Sequence, residues 1–416
     1  MRIATLNYSD SQGGAARAAL RIHEAVRSVD GASTFWVNHR VLNRPDIKGP
    51  EGTTTSLLAK AGPVVERMCR KVFRTDKAIV HSSGLMPTFW HRRLLGAADV
   101  VNLHWVNAGM MSIADIGRIK VPVVWTLHDM WAFCGAEHYP QDFRWRDGYS
   151  AASRPEHESG FDLNRWVWGR KLRQWRTPMH IVTPSRWLAE CVRQSALMHE
   201  WDVQVIPNAI DTDFWRPIDR IEARRALNLP TESALLLFGA IRGGADPRKG
   251  FDLLCDALER LKGKVEGLEL VVFGEERPSD ASPFGFPVHY MGHVDDEETL
   301  RRLYCAADAM LIPSRQDNLP NTGVEAQCCG TPVIAFDVGG LPDIVVHEET
   351  GYLARAFDCE DLAHGIRWVV AQGLSSDLLR DRSRHRAASR YAYAAVGRQY
   401  LDAFSRAREA GGRSRG

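Results

Sequence analysis

The stretch SRQDNLPNTGVEAQCCGTPVIAF, residues 314–336, places two acids around a turn that lies between two apolar runs. Asp317 stands eight positions before Glu325. Helical spacing does not explain the pair, because Pro320 and Gly323 make residues 317–323 a poor helix interior. The runs DAMLIPS and GTPVIAF on either side are typical of buried strands. The stretch therefore predicts a strand, a loop that feeds a helix, and a second strand.

The same alternation of apolar runs and amphipathic stretches extends over both halves of the chain. Amphipathic stretches such as residues 15–28, GFDLLCDALERLKG and DEETLRRLYCAA are typical of helical crossovers between strands that are buried on both faces. We therefore predict an α/β protein with two doubly wound, Rossmann-like domains facing a central cleft. The predicted strands are MRIATLNY, STFWVNHR, DVVNLHW, VPVVWTLHD, HIVTPS, ALLLFGAI, LELVVFGE, PVHYMGHV, DAMLIPS and GTPVIAF.

Length and composition set the class of protein. A chain of 416 residues with 44% hydrophobic and 25% charged residues is typical of a globular protein with two domains. It has no apolar run of about 18 residues that would span a membrane, and its start lacks the layout of a signal peptide. None of its 8 cysteines is spaced C-x-x-C. We predict a cytoplasmic protein, with peripheral attachment to the inner face of the plasma membrane as an open alternative.

Two prolines, Pro207 and Pro217, interrupt the stretch QVIPNAIDTDFWRP, residues 204–217, and predict that the domain boundary lies there. We predict an N-terminal domain over 1–205, a C-terminal domain over 206–385, and a C-terminal helix over 386–416 that packs back on the first domain and ends in a frayed tail. The net charge of +2 hides an asymmetry: residues 1–205 carry 27 Lys and Arg against 19 Asp and Glu, whereas the rest carries 26 against 32. The halves are therefore expected to meet different partners.

Two loops that leave strands are candidate sites in the first half. Gly13 and Gly14 lie between the first strand and the next helix, where the backbone can approach a phosphate, although a plain tight turn explains them equally well. His128 and Asp129 stand at the end of the strand VPVVWTLHD, and His128 is either catalytic or structural. His128, Glu137 and His138 fit the spacing of no standard metal site. Neither a G-x-G-x-x-G nor a P-loop motif occurs.

Two further loops lie in the second half. GGADPRKGFDLL presents Arg248 and Lys249 just before a helix, where two cations are unfavourable unless an anion lies nearby, so the loop is either a diphosphate site or a solvated basic turn. The opening stretch offers backbone N–H groups at a helix start between its two acids. We predict that Asp317 and Glu325 hold the two sugars of a sugar nucleotide and that the amides between them hold its phosphates.

The motif DNLPNTGVEA-x-x-x-GTPVIAF, with DPRKG and PNAID, resembles the retaining glycosyltransferases of family 4, which have the GT-B fold. The family carries an acid, seven residues and then Glu; the first acid here is Asp rather than the commoner Glu. The resemblance implies that Glu325 binds the nucleotide ribose and that Asp317 binds the donor sugar, and it assigns His128 a place beside the reacting carbon. It assigns the phosphates and the donor to Gly13, Gly14, Arg242, Arg248, Lys249, Asn318, Leu319, Pro320, Asn321 and Thr322.

The resemblance also implies that the N-terminal domain over 1–205 binds the acceptor and that the C-terminal domain over 206–385 binds the sugar nucleotide, and it implies how such an enzyme works. The leaving diphosphate takes the acceptor proton while the acceptor attacks from the same face, so the anomeric configuration is retained. Lys249 and the helix start would stabilise the charge that develops on the diphosphate, and no metal cofactor is then required. The triplet DTD at 211–213 resembles a metal-holding D-x-D, but its place in the hinge favours a structural role.

The donor is predicted to be a UDP- or GDP-sugar, and the acceptor a glycan or a polyprenyl-diphosphate-linked oligosaccharide in bacterial exopolysaccharide, capsule or O-antigen (lipopolysaccharide) synthesis. VVERMCRKVFR (64–74) and RWVWGRKLRQWR (165–176) combine cations with apolar residues, which suits either an anionic membrane surface or a core helix with exposed arginines. No nucleic-acid-binding module appears. A catalytically silent sugar-nucleotide-binding subunit and a GT-B-like epimerase remain alternatives.

Overall fold

The computed structural model describes residues 1–74, 80–86, 97–239, 246–277, 284–375 and 377–413. The chain divides into two compact units, one formed by Met1–Ala209 with Tyr393–Gly416 and the other by Ile210–Ala392. The divisions that the sequence analysis set after residues 205 and 385 thus fall after residues 209 and 392 in the structure.

The first unit is built on a parallel sheet. Its strands are β1 (Arg2–Ser9), β2 (Ala32–His39), β3 (Ile47–Lys48), β4 (Phe73–Arg74), β5 (Val100–Leu103), β6 (Val123–Thr126), β7 (Ser159–Gly160), β8 (His180–Thr183) and β9 (Val203–Val205). Seven of them pair in the order β3-β2-β1-β5-β6-β8-β9, and every neighbouring pair is parallel. The short strands β4 and β7 form a separate antiparallel pair. The sheet is therefore of the doubly wound type.

The helices of the first unit supply the crossovers. Before residue 210, the helices among the described residues are α1 (Gly14–Ser28), α2 (Thr53–Val72), α3 (Ile113–Gly117), α4 (Arg144–Asp147), α5 (Leu163–Gln174) and α6 (Arg186–Gln194). Three of them begin at a side-chain cap: Ser112, Asp162 and Ser185 each accept a hydrogen bond from a backbone N–H in the first turn. Such caps satisfy N–H groups that have no intrahelical partner, which explains where these helices start.

The second unit repeats the plan with a six-stranded sheet. Its strands are β10 (Ala234–Gly239), β11 (Leu268–Phe273), β12 (Val288–Tyr290), β13 (Ala309–Ile312), β14 (Val333–Phe336) and β15 (Gly351–Ala354). They pair in the order β12-β11-β10-β13-β14-β15, and every pair is parallel. The helices are α7 (Arg220–Ala226), α8 (Phe251–Glu259), α9 (Glu297–Ala306), α10 (Asn321–Cys328), α11 (Leu341–Ile344), α12 (Cys359–Ser375) and α13 (Leu378–Tyr391), with a 3₁₀ turn at Pro247–Lys249.

The last helix, α14 (Tyr393–Arg413), belongs to the first unit. It packs against α1 so closely that a Cβ on Gly397 would overlap the carbonyl oxygen of Ala25. The Tyr393 hydroxyl also donates a hydrogen bond of 2.8 Å to Glu24 on α1. Helix α14 thus covers one face of the first sheet.

Each sheet is buried on both faces. Val100 and its neighbour Val101 on β5 belong to different apolar clusters, and so do Leu236 and Leu237 on β10. Because successive side chains of a strand point to opposite faces, each sheet has a hydrophobic layer on either side. This confirms the prediction of two Rossmann-like α/β units.

Candidate active site

The carboxyl ends of neighbouring strands bring the predicted residues of the second unit together. Strands β10 and β13 are hydrogen-bonded neighbours, so the chain segments that follow them emerge at the same edge of the sheet. The segment after β10 reaches the 3₁₀ turn with Lys249, and the segment after β13 reaches Asp317. Arg242, also predicted to bind phosphate, lies outside the described residues.

Lys249 and Asp317 form an ion pair. The Lys249 Nζ lies 2.6 Å from Asp317 Oδ2, with the lysine side chain 49% and the aspartate side chain 14% exposed. Asp317 also accepts a hydrogen bond from the Ser314 hydroxyl at 3.3 Å. The pair joins the two loops that the sequence analysis assigned to the diphosphate and to the donor sugar, and its cation is open to solvent.

The turn that presents Lys249 is fixed by a glycine. Gly250 has φ of +66° and a Cβ there would overlap the carbonyl oxygen of Pro313, so only glycine fits this position. Asp246 caps the turn by accepting the backbone N–H of Arg248. The backbone N–H of Arg315 donates to the Arg248 carbonyl at 2.7 Å, which ties the turn to the end of β13.

Arg248 is paired within its own turn. Its guanidinium donates to Asp246 at 3.0 and 2.7 Å. Burial alone would raise the pKa of Asp246, but the hydrogen bonds and charge of Arg248 hold that pKa below its ordinary value. Arg248 therefore brings a counter-ion with it, and of the two adjacent cations Lys249 is the more exposed. Arg315, which the sequence analysis did not consider, binds Asp252 through two contacts of 2.6 Å.

Helix α10 begins four residues after Asp317. Asn318 and Leu319 are 4% and 5% exposed, Pro320 is the capping residue, and Asn321 and Thr322 open the helix. Pro320 makes no side-chain cap hydrogen bond, and the start of a helix in general favours negatively charged ligand oxygens. Residues 318–322 thus form the turn before α10 and its first two residues, and their contact with the donor stays a prediction.

Glu325 lies inside the unit rather than at its surface. It is 1% exposed, and its Oε2 accepts a hydrogen bond of 2.8 Å from the hydroxyl of Tyr304, on α9. Tyr304 is itself fully buried. A buried carboxylate with a phenol donor is held in one orientation, so a ribose at this position would meet a fixed oxygen. The sequence analysis did not identify Tyr304.

In the first unit, three neighbouring strands bring their ends together. Strands β1, β5 and β6 are adjacent, and they are followed by the Gly13–Gly14 loop, His104 and His128 respectively. Gly13 has φ of +88° and is the capping residue before α1, and a Cβ there would touch nothing within 4 Å. The open space beside Gly13 is compatible with the approach of a phosphate, and its backbone angle favours glycine.

His128 is bonded to a second histidine. Its Nε2 lies 2.9 Å from Nδ1 of His104, which is 2% exposed. Burial lowers the pKa of His128 to about 4, against the opposing effect of the Asp129 charge. Burial and the His128 charge likewise lower the pKa of His104 well below its ordinary value. Both imidazoles are therefore neutral near pH 7.

Asp129 is held by several donors. Its Oδ2 accepts from the Trp105 indole at 2.9 Å and lies 2.6 Å from His138 Nδ1, while Oδ1 accepts the Trp131 backbone N–H at 2.9 Å. Burial would raise the pKa of Asp129, but the charge and hydrogen bond of His138, with the other donors, hold it below its ordinary value. Ser82 Oγ lies 2.9 Å from His138 Nε2. Ser82, His138 and Asp129 are thus connected in the order of a Ser-His-Asp catalytic triad. Because Ser82 and His138 are only 5% and 4% exposed, the network is suited to fixing the orientation of Asp129.

The segment 165–176, considered above for membrane contact, forms most of α5, and its key residues point inward. Trp175 and Lys171 are buried, and the Lys171 ammonium donates to the carbonyls of Trp131, Cys134 (3.0 Å) and Gly135 (2.7 Å). Burial lowers the pKa of Lys171 to about 7. Trp166 and Trp168 are partly buried against the same core. The structure favours the core-helix interpretation of this segment, and Lys171 holds the loop that follows Asp129.

The DTD triplet is a turn. Asp211 Oδ1 accepts the backbone N–H groups of Asp213 and Phe214 at 3.0 and 3.1 Å, as a capping side chain does. Among the described residues, no group of three or more His, Cys, Asp or Glu side chains is arranged to hold a metal ion. Within the same part of the chain, no helix is both long and apolar enough to cross a bilayer.

Two family models match the chain. The one described as Glycosyltransferase Family 4 matches residues 13–214, and the one described as Glycosyl transferases group 1 matches residues 233–372. Among curated relatives, a D-inositol 3-phosphate glycosyltransferase of Segniliparus rotundus is 33% identical over 207 residues, which cover 47% of this chain and 43% of the relative. A protein of the same name from a Nocardioides species is 33% identical over 232 residues, covering 50% of this chain and 49% of the relative. The chain thus spans less than half the length of these two relatives.

Solved structures share the fold over nearly the whole chain. Sucrose-phosphate synthase of Thermosynechococcus elongatus has a TM-score of 0.67 at 18% identity, covering 97% of this chain and 98% of its own. The Anabaena HepE protein in complex with UDP-glucose has a TM-score of 0.63 at 16% identity, and the match covers 97% of this chain and 99% of HepE. WaaG, a glycosyltransferase involved in lipopolysaccharide biosynthesis, has a TM-score of 0.59 at 17% identity, with 95% and 98% covered. With both family models matching and a GT-B fold throughout, the chain belongs to glycosyltransferase family 4.

Proposed function

We propose that this protein transfers a sugar from a nucleoside diphosphate sugar to a hydroxyl of a glycan or lipid-linked acceptor, with retention of the anomeric configuration and without a bound metal. The observation that carries the proposal is the Lys249–Asp317 pair beside the start of α10. It puts a cation, a carboxylate and a helix N-terminus at one sheet edge, which suits a diphosphate joined to a sugar.

The leaving group decides the chemistry at this site. As the bond between the anomeric carbon and the diphosphate oxygen breaks, negative charge grows on the diphosphate, and Lys249 and the start of α10 stabilise it. The bond to the acceptor oxygen forms on the same face, and the acceptor proton passes to the leaving diphosphate. The positive potential that other glycosyltransferases obtain from a divalent ion is supplied here by protein groups.

The state of Asp129 supports retention. An inverting enzyme needs a carboxylate or another base on the face opposite the leaving group, and Asp129, at the end of the strand that carries His128, is a carboxylate that could be considered for that role. Its two oxygens already accept hydrogen bonds from Trp105 and Trp131 and contact His138. A carboxylate with this many donors is a weak proton acceptor.

For the acceptor, we propose contact with an anionic membrane through α2. Leu57, Val64 and Met68 are 63%, 52% and 62% exposed, at intervals that place them on one helix face. Exposed Lys60, Arg67 and Lys71 follow the same spacing. An apolar stripe edged by cations suits a surface of anionic headgroups, and it would bring a polyprenyl-diphosphate-linked acceptor to the first unit.

The relatives widen the panel of acceptors to be tested. The curated relatives are named for D-inositol 3-phosphate, and WaaG, a solved structure of the same fold, is named for lipopolysaccharide biosynthesis. Inositol phosphate and lipopolysaccharide both belong to the polar, hydroxyl-bearing class that the proposal requires. We propose UDP-sugars as the first donors to test, since HepE was solved with UDP-glucose.

The deciding experiment incubates the protein with UDP- and GDP-sugars and each acceptor, in excess chelator, and measures release of the nucleoside diphosphate. Acceptor-dependent release, with a product whose anomeric proton coupling in NMR matches that of the donor, is the expected result. Binding without release would indicate a silent sugar-nucleotide-binding subunit, and conversion of the donor sugar alone would indicate an epimerase. Activity that requires added magnesium or manganese, or an inverted linkage, would refute the mechanism.

A further inference from the structure

A row of buried hydrogen bonds crosses the first unit from the C-terminal helix to His128. It runs from the Tyr400 hydroxyl on α14 to Thr126 at the end of β6 (3.1 Å) and on to Asn102 on β5 (3.3 Å). It continues from Asn102 to His104 (2.9 Å) and from His104 to His128 (2.9 Å). The first four side chains are 2% exposed or less, so water does not compete for these bonds.

The chemistry of the groups sets the direction of every proton in this row. Asn102 Oδ1 can only accept, so the Thr126 hydroxyl donates to it and must itself accept from Tyr400. Asn102 Nδ2 can only donate, so Nε2 of His104 is the acceptor. A neutral His104 then carries its proton on Nδ1 and donates to Nε2 of His128.

We propose that His104 is a positioning residue that holds His128 as its Nδ1–H tautomer, so that the ring nitrogen not bonded to His104 is a hydrogen-bond donor. The proposal rests on the function proposed above, because it assigns His128 the role of donor to an oxygen of the sugar nucleotide rather than that of a base. Burial lowers the pKa of both rings, which keeps each of them neutral and makes the tautomer a property of the fold.

The row also gives a function to residues outside the recognised motifs. Tyr400 lies 274 positions from Thr126 and is the first donor of the row. Burial raises the pKa of Tyr400, so the hydroxyl keeps its proton at any working pH. Helix α14 thereby contributes a hydrogen bond that satisfies the buried Thr126 hydroxyl, in addition to covering the sheet.

The tautomer can be measured without any substrate. In the full chain labelled with ¹⁵N-histidine, two-bond proton–nitrogen correlation spectra distinguish a protonated Nδ1 from a protonated Nε2, and the His128→Gln variant assigns the His128 signals. We expect His128 and His104 both to show a protonated Nδ1 and an unprotonated Nε2. A protonated Nε2 on His128 would overturn the proposal, whether or not the protein proves to be a transferase.

Two substitutions of His104 separate positioning from packing. His104→Asn keeps an amide N–H near the place of Nδ1, and His104→Leu removes every donor. We expect the Asn variant to retain the Nδ1–H tautomer of His128. We expect the Leu variant to show mixed tautomers and about tenfold slower release of UDP from UDP-glucose with acceptor present, the size of one neutral hydrogen bond. Its affinity for UDP alone should stay within about twofold, because the nucleotide is held by the second unit.

The control is His180→Leu. His180 is buried on the neighbouring strand β8 and bonds to Asp202 and Gln204, outside the row. This variant should leave the His128 tautomer and the rate unchanged. Asn102→Leu provides a second variant that tests the row if both changes at His104 prevent folding. It removes the donor to His104 Nε2, so it too should give mixed His128 tautomers. An unchanged His128 tautomer in His104→Leu or in Asn102→Leu would refute the positioning role.

Discussion

Replacing Lys249 by Met tests the candidate diphosphate site directly. The substitution keeps most of the length of the side chain and removes its charge. In the free protein it breaks the 2.6 Å contact with Asp317. In the nucleotide complex it removes the cation proposed to contact the diphosphate.

The two effects differ in size. Because the Lys249 side chain is 49% exposed, its ion pair contributes at most about 1 kcal/mol to the free energy of unfolding, so the melting temperature should fall by only about 2–4 °C. A charge-assisted hydrogen bond to a phosphate is worth roughly 1.5–3 kcal/mol. UDP affinity should therefore fall about 10- to 150-fold.

The partner of Lys249, Asp317, allows a second test of the same assignment. When Lys249 is replaced, the Asp317 carboxylate is left close to the bound diphosphate without its counter-charge, and like charges repel. Adding Asp317→Asn to Lys249→Met should therefore recover part of the lost UDP affinity. The two changes should be non-additive, as expected for residues in direct contact.

Isothermal titration calorimetry with UDP and GDP measures the nucleotide affinity, and a thermal unfolding scan measures the melting temperature. Lys262→Met is the matched control, since that lysine is 45% exposed, is paired with Glu259, and lies beyond the end of α8 in the same unit. The control should bind nucleotide like the wild type. UDP affinity in Lys249→Met within twofold of wild type, or an equal loss in the control, would refute the assignment of Lys249.

Three further predictions concern Glu325, α2 and His128. Tyr304→Phe removes the donor to Glu325 and should weaken UDP binding about 3- to 10-fold, as loss of one orienting hydrogen bond does, while Glu325→Ala should nearly abolish transfer. Replacing Leu57 and Met68 by Ser should reduce cosedimentation with vesicles that contain phosphatidylglycerol, and salt should reduce it in the wild type, because both contributions to binding act at this face. The pKa of His128 in the folded protein is about 4, below the ordinary 6.5, so the contribution of the neutral imidazole to the free energy of unfolding is complete above pH 6.5 and is lost as the pH drops towards 4. Between pH 6.5 and 4 the free energy of unfolding of His128→Gln should therefore fall less than that of the wild type, by up to roughly 3 kcal/mol.

Each of these has its own counter-result. Wild-type UDP affinity in Tyr304→Phe would mean that Glu325 is not oriented by the phenol. Equal binding to phosphatidylcholine vesicles, or an equal loss in the control Leu378→Ser, whose apolar side chain is 52% exposed in the second unit, would remove α2 as the membrane face. Identical acid unfolding of His128→Gln and wild type, measured by circular dichroism from pH 7 to 4, would contradict the neutral, buried imidazole.

The sequence by itself determined the fold class and the general place of the candidate site. Apolar runs separated by amphipathic stretches predict a parallel sheet covered by helices, because strands that are buried on both faces are joined by helical crossovers. The loops at the carboxyl ends of these strands then lie at the same edge of the sheet. The stretch around Asp317 carried the family resemblance as well. These are local properties of the chain, and ten of the observed strands follow them. The sequence analysis missed β3, β4, β7, β9 and β15, of which the first four have only two or three residues, too few for a pattern.

The pairing of charged and polar side chains was decided by the tertiary structure alone. Lys249 meets Asp317 across 68 positions, whereas Arg248, one residue away, turns back to Asp246, and the difference follows from the direction in which the 3₁₀ turn presents them. Lysine side chains are normally exposed, yet three backbone carbonyls hold Lys171 inside the core. Spacing along the chain gives the face on which a side chain lies, but its partner depends on which elements the fold brings together, because hydrogen bonds and ion pairs act only over about 3–4 Å.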